Sequence, residues 1–210
     1  MATVGILALQ GDFEAHAAAL AELGAQARRV RIPGDLEALD ALVIPGGEST
    51  TMTLGIEREG LAEPLREFAQ SGRPVLGTCA GLIVLDREHL GLMDLTARRN
   101  AFGRQVASFE ADLELAGLGG DPLRAVFIRA PWVEEAAPEV EILAEIDGHP
   151  VAVRQGNMLA VAFHPELTDD PRLHAWLLDR ARERAREVVA EPAGADPDAS
   201  AAGRQRAERA

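Results

Sequence analysis

Apolar residues in this chain fall in short runs, and the runs alternate with segments of helical composition. Thr3 to Leu9 is a compact apolar run of the length expected for a buried strand. Phe13 to Leu23 behind it is alanine-rich, with Leu20 and Leu23 three residues apart on one helical face. Ala27 to Ile32 and Ala41 to Ile44 read as the next two strands, the second cut short by Pro45-Gly46-Gly47. Leu61 to Gln70 has the pattern of an amphipathic helix, and Pro74 to Thr78 that of another buried strand. Strands and helices in this order predict an α/β domain whose mainly parallel central sheet is flanked by helices on both faces.

The middle of the chain has a different rhythm. Gly103 to Phe109, Ala125 to Ile128, Glu141 to Ile146 and Val151 to Arg154 read as strands separated by turns, and Asp147-Gly148 is a hairpin signal. These segments are expected as antiparallel additions at one side of the sheet. Leu159 to Phe163 is a last apolar strand, ending at His164-Pro165-Glu166. A helix from Pro171 to about Val189 follows, with Pro171 near its first turn and Leu173, Trp176 and Leu177 on one face. From Glu191 the apolar periodicity gives way to alanine, glycine, proline, aspartate and arginine. Residues 1–190 are therefore expected to form one domain, and 191–210 a disordered tail that buries too little to order itself.

Composition narrows the function classes. With 47% hydrophobic residues in 210, a substantial core forms without disulfides or metal. The single cysteine excludes an internal disulfide framework and a cysteine-rich zinc site, and suggests a reducing compartment. A net charge of -13, from 34 acidic and 21 basic residues, argues against wrapping nucleic acid. The absence of tyrosine, with aromatics at 4%, removes base-stacking platforms as well. No basic leader precedes the first apolar run, and no apolar stretch approaches the ~18 residues of a membrane span. A cytoplasmic protein without membrane contact is expected.

The lone cysteine lies in Gly77-Thr78-Cys79-Ala80-Gly81, between an apolar strand and a helix-like segment. G-x-C-x-G is the thiol version of a nucleophile elbow, whose glycines allow a tight turn that exposes the nucleophile above the sheet edge. The amides and dipole of the following helix favour the thiolate, the reactive form. An arbitrary lone cysteine is more often an inert buried hydrophobe; the glycine spacing reverses that expectation here. Of five histidines, His16 and His174 fall in predicted helices, His149 beside a hairpin turn and His89 in a loop. Only His164 ends an apolar strand, which places it on the edge that carries Cys79. Glu166, two residues on, is positioned to accept the second imidazole proton. Pro45-Gly46-Gly47-Glu48-Ser49-Thr50-Thr51 follows a third strand to the same edge. Its glycines let main-chain amides approach a substrate, as an oxyanion hole requires, and it lacks the lysine of a phosphate-binding loop.

Together these segments resemble class I, triad-type glutamine amidotransferases, and within them the glutaminase subunits of pyridoxal 5'-phosphate synthase. The resemblance runs in order from about residue 2 to 189. It is carried by Gly5 to Phe13, Pro45 to Thr51, Gly77 to Gly81, Arg99 to Gln105, Ser108 to Ala111, Phe127 to Pro131 and Phe163 to Glu166. It implies a flavodoxin-like fold and a triad of Cys79, His164 and Glu166. It also implies glutamine held near Gly47, Glu48, Ser49, Arg104, Ile128 and Arg129, with an arginine suited to the α-carboxylate and an acidic side chain to the α-ammonium. The implied oxyanion donors are the amides of Gly47 and Ala80. No metal or cofactor is implied for this chain, pyridoxal 5'-phosphate being the joint product of a hetero-oligomer with the synthase subunit, which receives the ammonia. Two features depart from the family pattern: the stretch from Ala80 to Asn100 is several residues short, and Arg98 stands where an acidic or neutral residue is expected. Competing readings are another cysteine hydrolase of the same architecture, which would accept extended peptides, and a catalytically silent regulatory subunit. A thiol redox sensor lacks its resolving cysteine.

Overall fold

The computed structural model describes residues 1–103 and 108–190. Four strands read from the sequence, β1 (Thr3–Leu7), β2 (Gln26–Val30), β3 (Ala41–Ile44) and β4 (Val75–Thr78), form a parallel array. The helices threaded between them are α1 (Phe13–Glu22), α2 (Ser49–Arg58) and α3 (Ala62–Gln70), and a short α4 (Ala80–Leu85) follows Cys79. β5 (Leu95–Arg98), β6 (Ser108–Leu113), β7 (Leu123–Ile128) and β8 (Trp132–Ala136) precede β9 (Glu141–Ile146), β10 (His149–Gln155) and β11 (Met158–Val161), and α5 (Arg172–Ala190) closes the series.

The main sheet has the order β2-β1-β3-β4-β11-β10-β9, parallel through β11 and antiparallel beyond it. Its central strands are continuously apolar because both faces are covered, and neighbouring residues divide between the faces. Val4, Ile6, Val43 and Leu76 pack with Leu20 of α1 and with Leu173 and Leu177 of α5. Leu42, Ile44 and Val75 pack with Met52 and Ile56 of α2, Leu65 and Phe68 of α3, and Leu82 of α4. Asp147 and Gly148, at φ 52° and 77°, make the two-residue turn between β9 and β10, with the positive φ pair of a type I′ hairpin.

Three expectations need correction. The antiparallel additions do not all lie on the sheet: β9 and β10 extend it, whereas β5–β8 and β6–β7 are separate two-stranded ribbons. The strand expected over 103–109 is β6, running from Ser108 to Leu113; residues 104–107 lie outside the described residues, as does the 191–210 tail. Ser49, Thr50 and Thr51 are not loop but the first turn of α2. Their β-branched and hydroxyl side chains are weak helix formers, and the cap supplied by Glu48, which accepts from the amides of Thr50 and Thr51, compensates.

The parallel arrangement fixes where the chemistry collects. β1, β3, β4 and β11 all point the same way, so Gln10, Gly46-Gly47, Cys79 and His164 emerge at one edge of the sheet.

Candidate active site

Cys79 occupies the turn between β4 and α4 with φ 48° and ψ -102°, a backbone conformation that costs a non-glycine residue strain. The flanking glycines make the turn possible by removing side chains. A β-carbon at Gly81 would meet the Ile44 main chain, and one at Gly77 would lie 3.0 Å from the carbonyl group of Gly81. The amide of Cys79 is tied to the Val161 carbonyl of β11 at 2.8 Å, and its Sγ lies 3.9 Å from the Ile128 carbonyl.

His164 leaves the end of β11 and is held by its amide on the Val126 carbonyl at 2.9 Å. Its Nδ1 is 2.7 Å from Glu166 Oε1, which leaves Nε2 for the Cys79 thiol. Burial pushes the imidazole down, but hydrogen bonds to Cys79 and Glu166, with the attraction of their charges, prevail and raise it to about 10. Burial likewise opposes ionisation of Glu166, and the His164 hydrogen bond with the nearby His16 and His164 charges hold its carboxyl below the ordinary range. The sequence thus brought His164 and Glu166 into a hydrogen-bonded pair beside Cys79 at one sheet edge, with Glu166 wholly enclosed behind the imidazole.

In front of them is a cavity of about 260 Å³, toward the small end of ligand sites and of a size for one amino acid. Of the residues singled out from the sequence, Gly47, Glu48, Ser49, Ala80, Ile128 and Arg129 line it beside Cys79 and His164; Arg104 lies outside the described residues. Ser49 is buried, and its Oγ has no hydrogen-bond partner among the described residues, leaving a polar atom for a ligand to satisfy. Arg129 is held at φ 45° beside the half-exposed Ile128. Ala80 opens α4, so its amide has no partner within the helix.

The loop after β3 is braced from β1. Gln10 Oε1 accepts from the Glu48 amide at 2.5 Å, and the Gly46 carbonyl accepts from the Asp12 amide at 3.4 Å. Gly47 sits at φ 153° with Gln10 and Gly11 where a side chain would be. Glu48 Oε1 takes Thr50 N and Arg99 Nη2 at 3.1 and 2.8 Å; Oε2 takes Thr51 N and Oγ1 at 2.8 and 2.7 Å. The hydrogen bonds from Thr51 and Thr50 hold this carboxyl down at about 2.

Sequence reasoning left out Gln10, Arg99 and Asn100 as cavity residues, and the environment behind Glu166. His16 and His174 are both completely buried and 2.9 Å apart, nitrogen to nitrogen. The available signal was a histidine on the same α1 face as Leu20, and another next to Leu173 on the apolar face of α5. His89 and His149 lie elsewhere: His89 binds the buried Asp86 at 2.7 Å, and His149 stacks on Trp132. The short stretch after Ala80 closes around Asp86, whose carboxylate also collects the amides of Glu88, His89 and Ala97. Arg98 lies on the Trp132 ring, 3.6 Å from Glu134.

Comparison with known proteins agrees with this geometry. The SNO glutamine amidotransferase family matches residues 6–183. A protein of Acidothermus cellulolyticus named pyridoxal 5'-phosphate synthase subunit PdxT is 55% identical over 197 residues, covering 87% of this chain and 95% of that protein. One of the same name from Mycolicibacterium vanbaalenii is 57% identical, covering 81% and 93%. A crystal structure described as a glutamine amidotransferase is 47% identical with a TM-score of 0.80, covering 85% of this chain and 98% of that one. PurLQS from Thermotoga maritima, 15% identical with a TM-score of 0.65 over 84% of this chain and 97% of that one, shares the fold.

Proposed function

The chain belongs to the SNO glutamine amidotransferase family, and on that premise we propose that Cys79, His164 and Glu166 carry out its chemistry. It is a glutaminase subunit of pyridoxal 5'-phosphate synthase, hydrolysing L-glutamine to L-glutamate and ammonia. The observation that carries the assignment of residues is the row Cys79–His164–Glu166 facing a cavity that the glycine loop after β3 also lines.

The Cys79 thiolate attacks the side-chain carboxamide carbon, and the carbonyl oxygen becomes an oxyanion held by the amides of Gly47 and Ala80. A removed oxyanion donor costs roughly 2.7–4 kcal/mol in comparable hydrolases. His164 retains its proton well above neutrality, so it is ready to protonate the departing nitrogen as the C–N bond breaks and ammonia leaves. The resulting neutral imidazole takes a proton from water, and the hydroxide adds to the thioester. Collapse expels the Cys79 thiolate beside the already protonated His164, restoring the starting pair, and the new carboxyl group leaves as glutamate after giving its proton to solvent. Glu166 fixes the tautomer and stabilises the imidazolium throughout.

Glutamine is held by Gly47, Glu48, Ser49, Ile128 and Arg129 with Arg104, Arg129 and Arg104 being the cations suited to its α-carboxylate. Ammonia passes to the synthase subunit within a hetero-oligomer, and no cofactor serves this chain. The protein is cytoplasmic, with residues 1–190 as one amidotransferase domain and 191–210 as a tail; among the described residues no helix is long and apolar enough to cross a membrane. The test is glutamate release from glutamine, with and without the cognate synthase, by wild type and Cys79→Ala. Partner-stimulated release lost in the variant supports the assignment. No release from wild type bound to the synthase would sink it and favour a silent regulatory subunit.

A further inference from the structure

Behind Glu166 lies a row of polar side chains that hydrolysis leaves unused. His16 of α1, Thr78 of β4 and His174 of α5 are completely buried. His16 Nδ1 is 2.9 Å from His174 Nε2, and His16 Nε2 is 3.1 Å from Thr78 Oγ1 and 3.3 Å from Glu166 Oε2. Glu166 directs its other oxygen at His164, and Oε2, 3.3 Å from His16 Nε2, makes no hydrogen bond of its own among the described residues.

The two ends of the row fix its protons. His174 Nδ1 has no partner among the described residues, and an orphaned buried N–H is a rarer and costlier arrangement than an unused lone pair. At the other end, a ring lone pair 3.3 Å from a carboxylate oxygen would repel it. One arrangement meets both conditions: His174 donates from Nε2 to His16 Nδ1, and His16 therefore carries its proton on Nε2, between Thr78 Oγ1 and Glu166 Oε2. Burial holds both rings below the ordinary imidazole value, His174 at about 4, so each is neutral near pH 7 with a single proton to place.

We propose that His16 is a positioning residue of the glutaminase: its Nε2–H, set by His174, turns the positive end of a buried dipole toward the second oxygen of Glu166 and keeps the carboxylate ionised and turned toward His164. The inference rests on the reading of Cys79, His164 and Glu166 as the reacting row. Without that dipole beside it, the buried carboxylate takes up a proton at higher pH, and His164 loses the charge that lets it pair with a thiolate. The groups facing Glu166 are His164 from its own turn, His16 from α1 and His174 from α5, while Asp12, just before α1, acts on His16. Thr78, with Cys79 beyond it, comes from β4, and β7 contributes the Val126 carbonyl on the His164 amide.

The test is the rate of Cys79 alkylation by iodoacetamide across about pH 5 to 10 in the full chain, for wild type, His16→Leu and His16→Gln. It needs neither glutamine nor a partner, so it stands apart from glutamate release by wild type and Cys79→Ala, which tests the underlying reading. His16→Leu is expected to move the alkylation midpoint up by about one pH unit, and His16→Gln, whose amide N–H reaches the Nε2 position, to restore most of the shift. A folded His16→Leu protein with the wild-type profile overturns the proposal, as does an equal displacement in both variants. Should His16→Leu not fold, His174→Leu gives the second reading: a smaller upward displacement is expected, and an unchanged profile overturns the proposal.

Discussion

Replacing Gly46 by alanine adds one carbon where the chain leaving β3 meets the His164 ring. That carbon would stand 2.9 Å from His164 Nδ1, closer still to Cε1, and 3.3 Å from Cys79 Cβ, whereas ordinary contact begins near 3.4 Å. Gly46 is not in the left-handed region, so alanine suits its backbone and the conflict is purely spatial. Cys79 is fixed by the elbow, with its amide on Val161, and the imidazole is the part able to give. A retreat of the ring on the order of 1 Å is the scale at which catalytic misplacement costs about a hundredfold, or about 2.7 kcal/mol of barrier. Glutamate release in the presence of the synthase should therefore fall about a hundredfold in kcat, with little change in KM, because the ring does not hold the substrate's α-substituents. The thermal midpoint should stay within a few degrees of wild type, since the added carbon meets side chains at the site's edge. Wild-type turnover by a folded Gly46→Ala protein would refute the reasoning.

Gly81→Ala should instead damage the fold. Its β-carbon would lie 3.0 Å from the Ile44 carbonyl carbon and closer to the oxygen, and a central strand cannot move aside. Lifting α4 off β3 is an overpacking cost of about 1–3 kcal/mol, read as a lowered thermal midpoint; an unchanged midpoint would show that α4 has room to shift. The His164–Glu166 pair should also leave a signature in stability against pH. His164 is raised in the folded state, so its contribution is complete below its unfolded value near 6.5 and is lost as pH climbs through about 10. Glu166 is depressed, so its contribution is complete above the ordinary carboxyl value and is lost as pH falls from there through its lower folded value. Denaturant midpoints across pH for wild type and Glu166→Gln check both limbs; parallel curves would count against the pairing. In Cys79→Ala, an NMR titration of His164 should fall toward the ordinary imidazole value, because the thiol contributes the leading upward pull; an unmoved titration would assign that pull elsewhere.

Much of this site was legible because one rule does most of the placement: chemistry attached to the ends of parallel apolar strands gathers at a single sheet edge. Ala41 to Ile44, Pro74 to Thr78 and Leu159 to Phe163 could be seen as such strands, so Gly46, Cys79 and His164 could be predicted to meet. The row behind Glu166 could not, because His16 and His174 are 158 positions apart and join only through the packing of α1 and α5 on the same face. The ribbons were obscure for a related reason. Leu95–Arg98 and Trp132–Ala136 carry charged residues on solvent-facing positions, and their pairing is non-local. Helix α2 was hidden by local preference, since Ser49, Thr50 and Thr51 favour turns until Glu48 caps their amides.

That cap constrains how Glu48 can serve the substrate. A carboxylate offers about four lone-pair positions, and Thr50 N, Thr51 N, Thr51 Oγ1 and Arg99 Nη2 fill four. The two amides belong to the first turn of α2 and leave only if the helix start unravels, and the Thr51 hydroxyl rides on the same turn. Arg99 is the exchangeable partner: it reaches in from beyond β5, is close to half exposed, and makes its second bond to Thr50 Oγ1 at 2.9 Å. On the proposed reading, in which Glu48 meets the α-ammonium, an arriving substrate would replace one cation with another and leave the charge at the helix start unchanged. The same exchange would free a guanidinium on the cavity wall, where Arg129 already stands, and on that reading one step would supply both an acceptor for the α-ammonium and a second cation for the α-carboxylate.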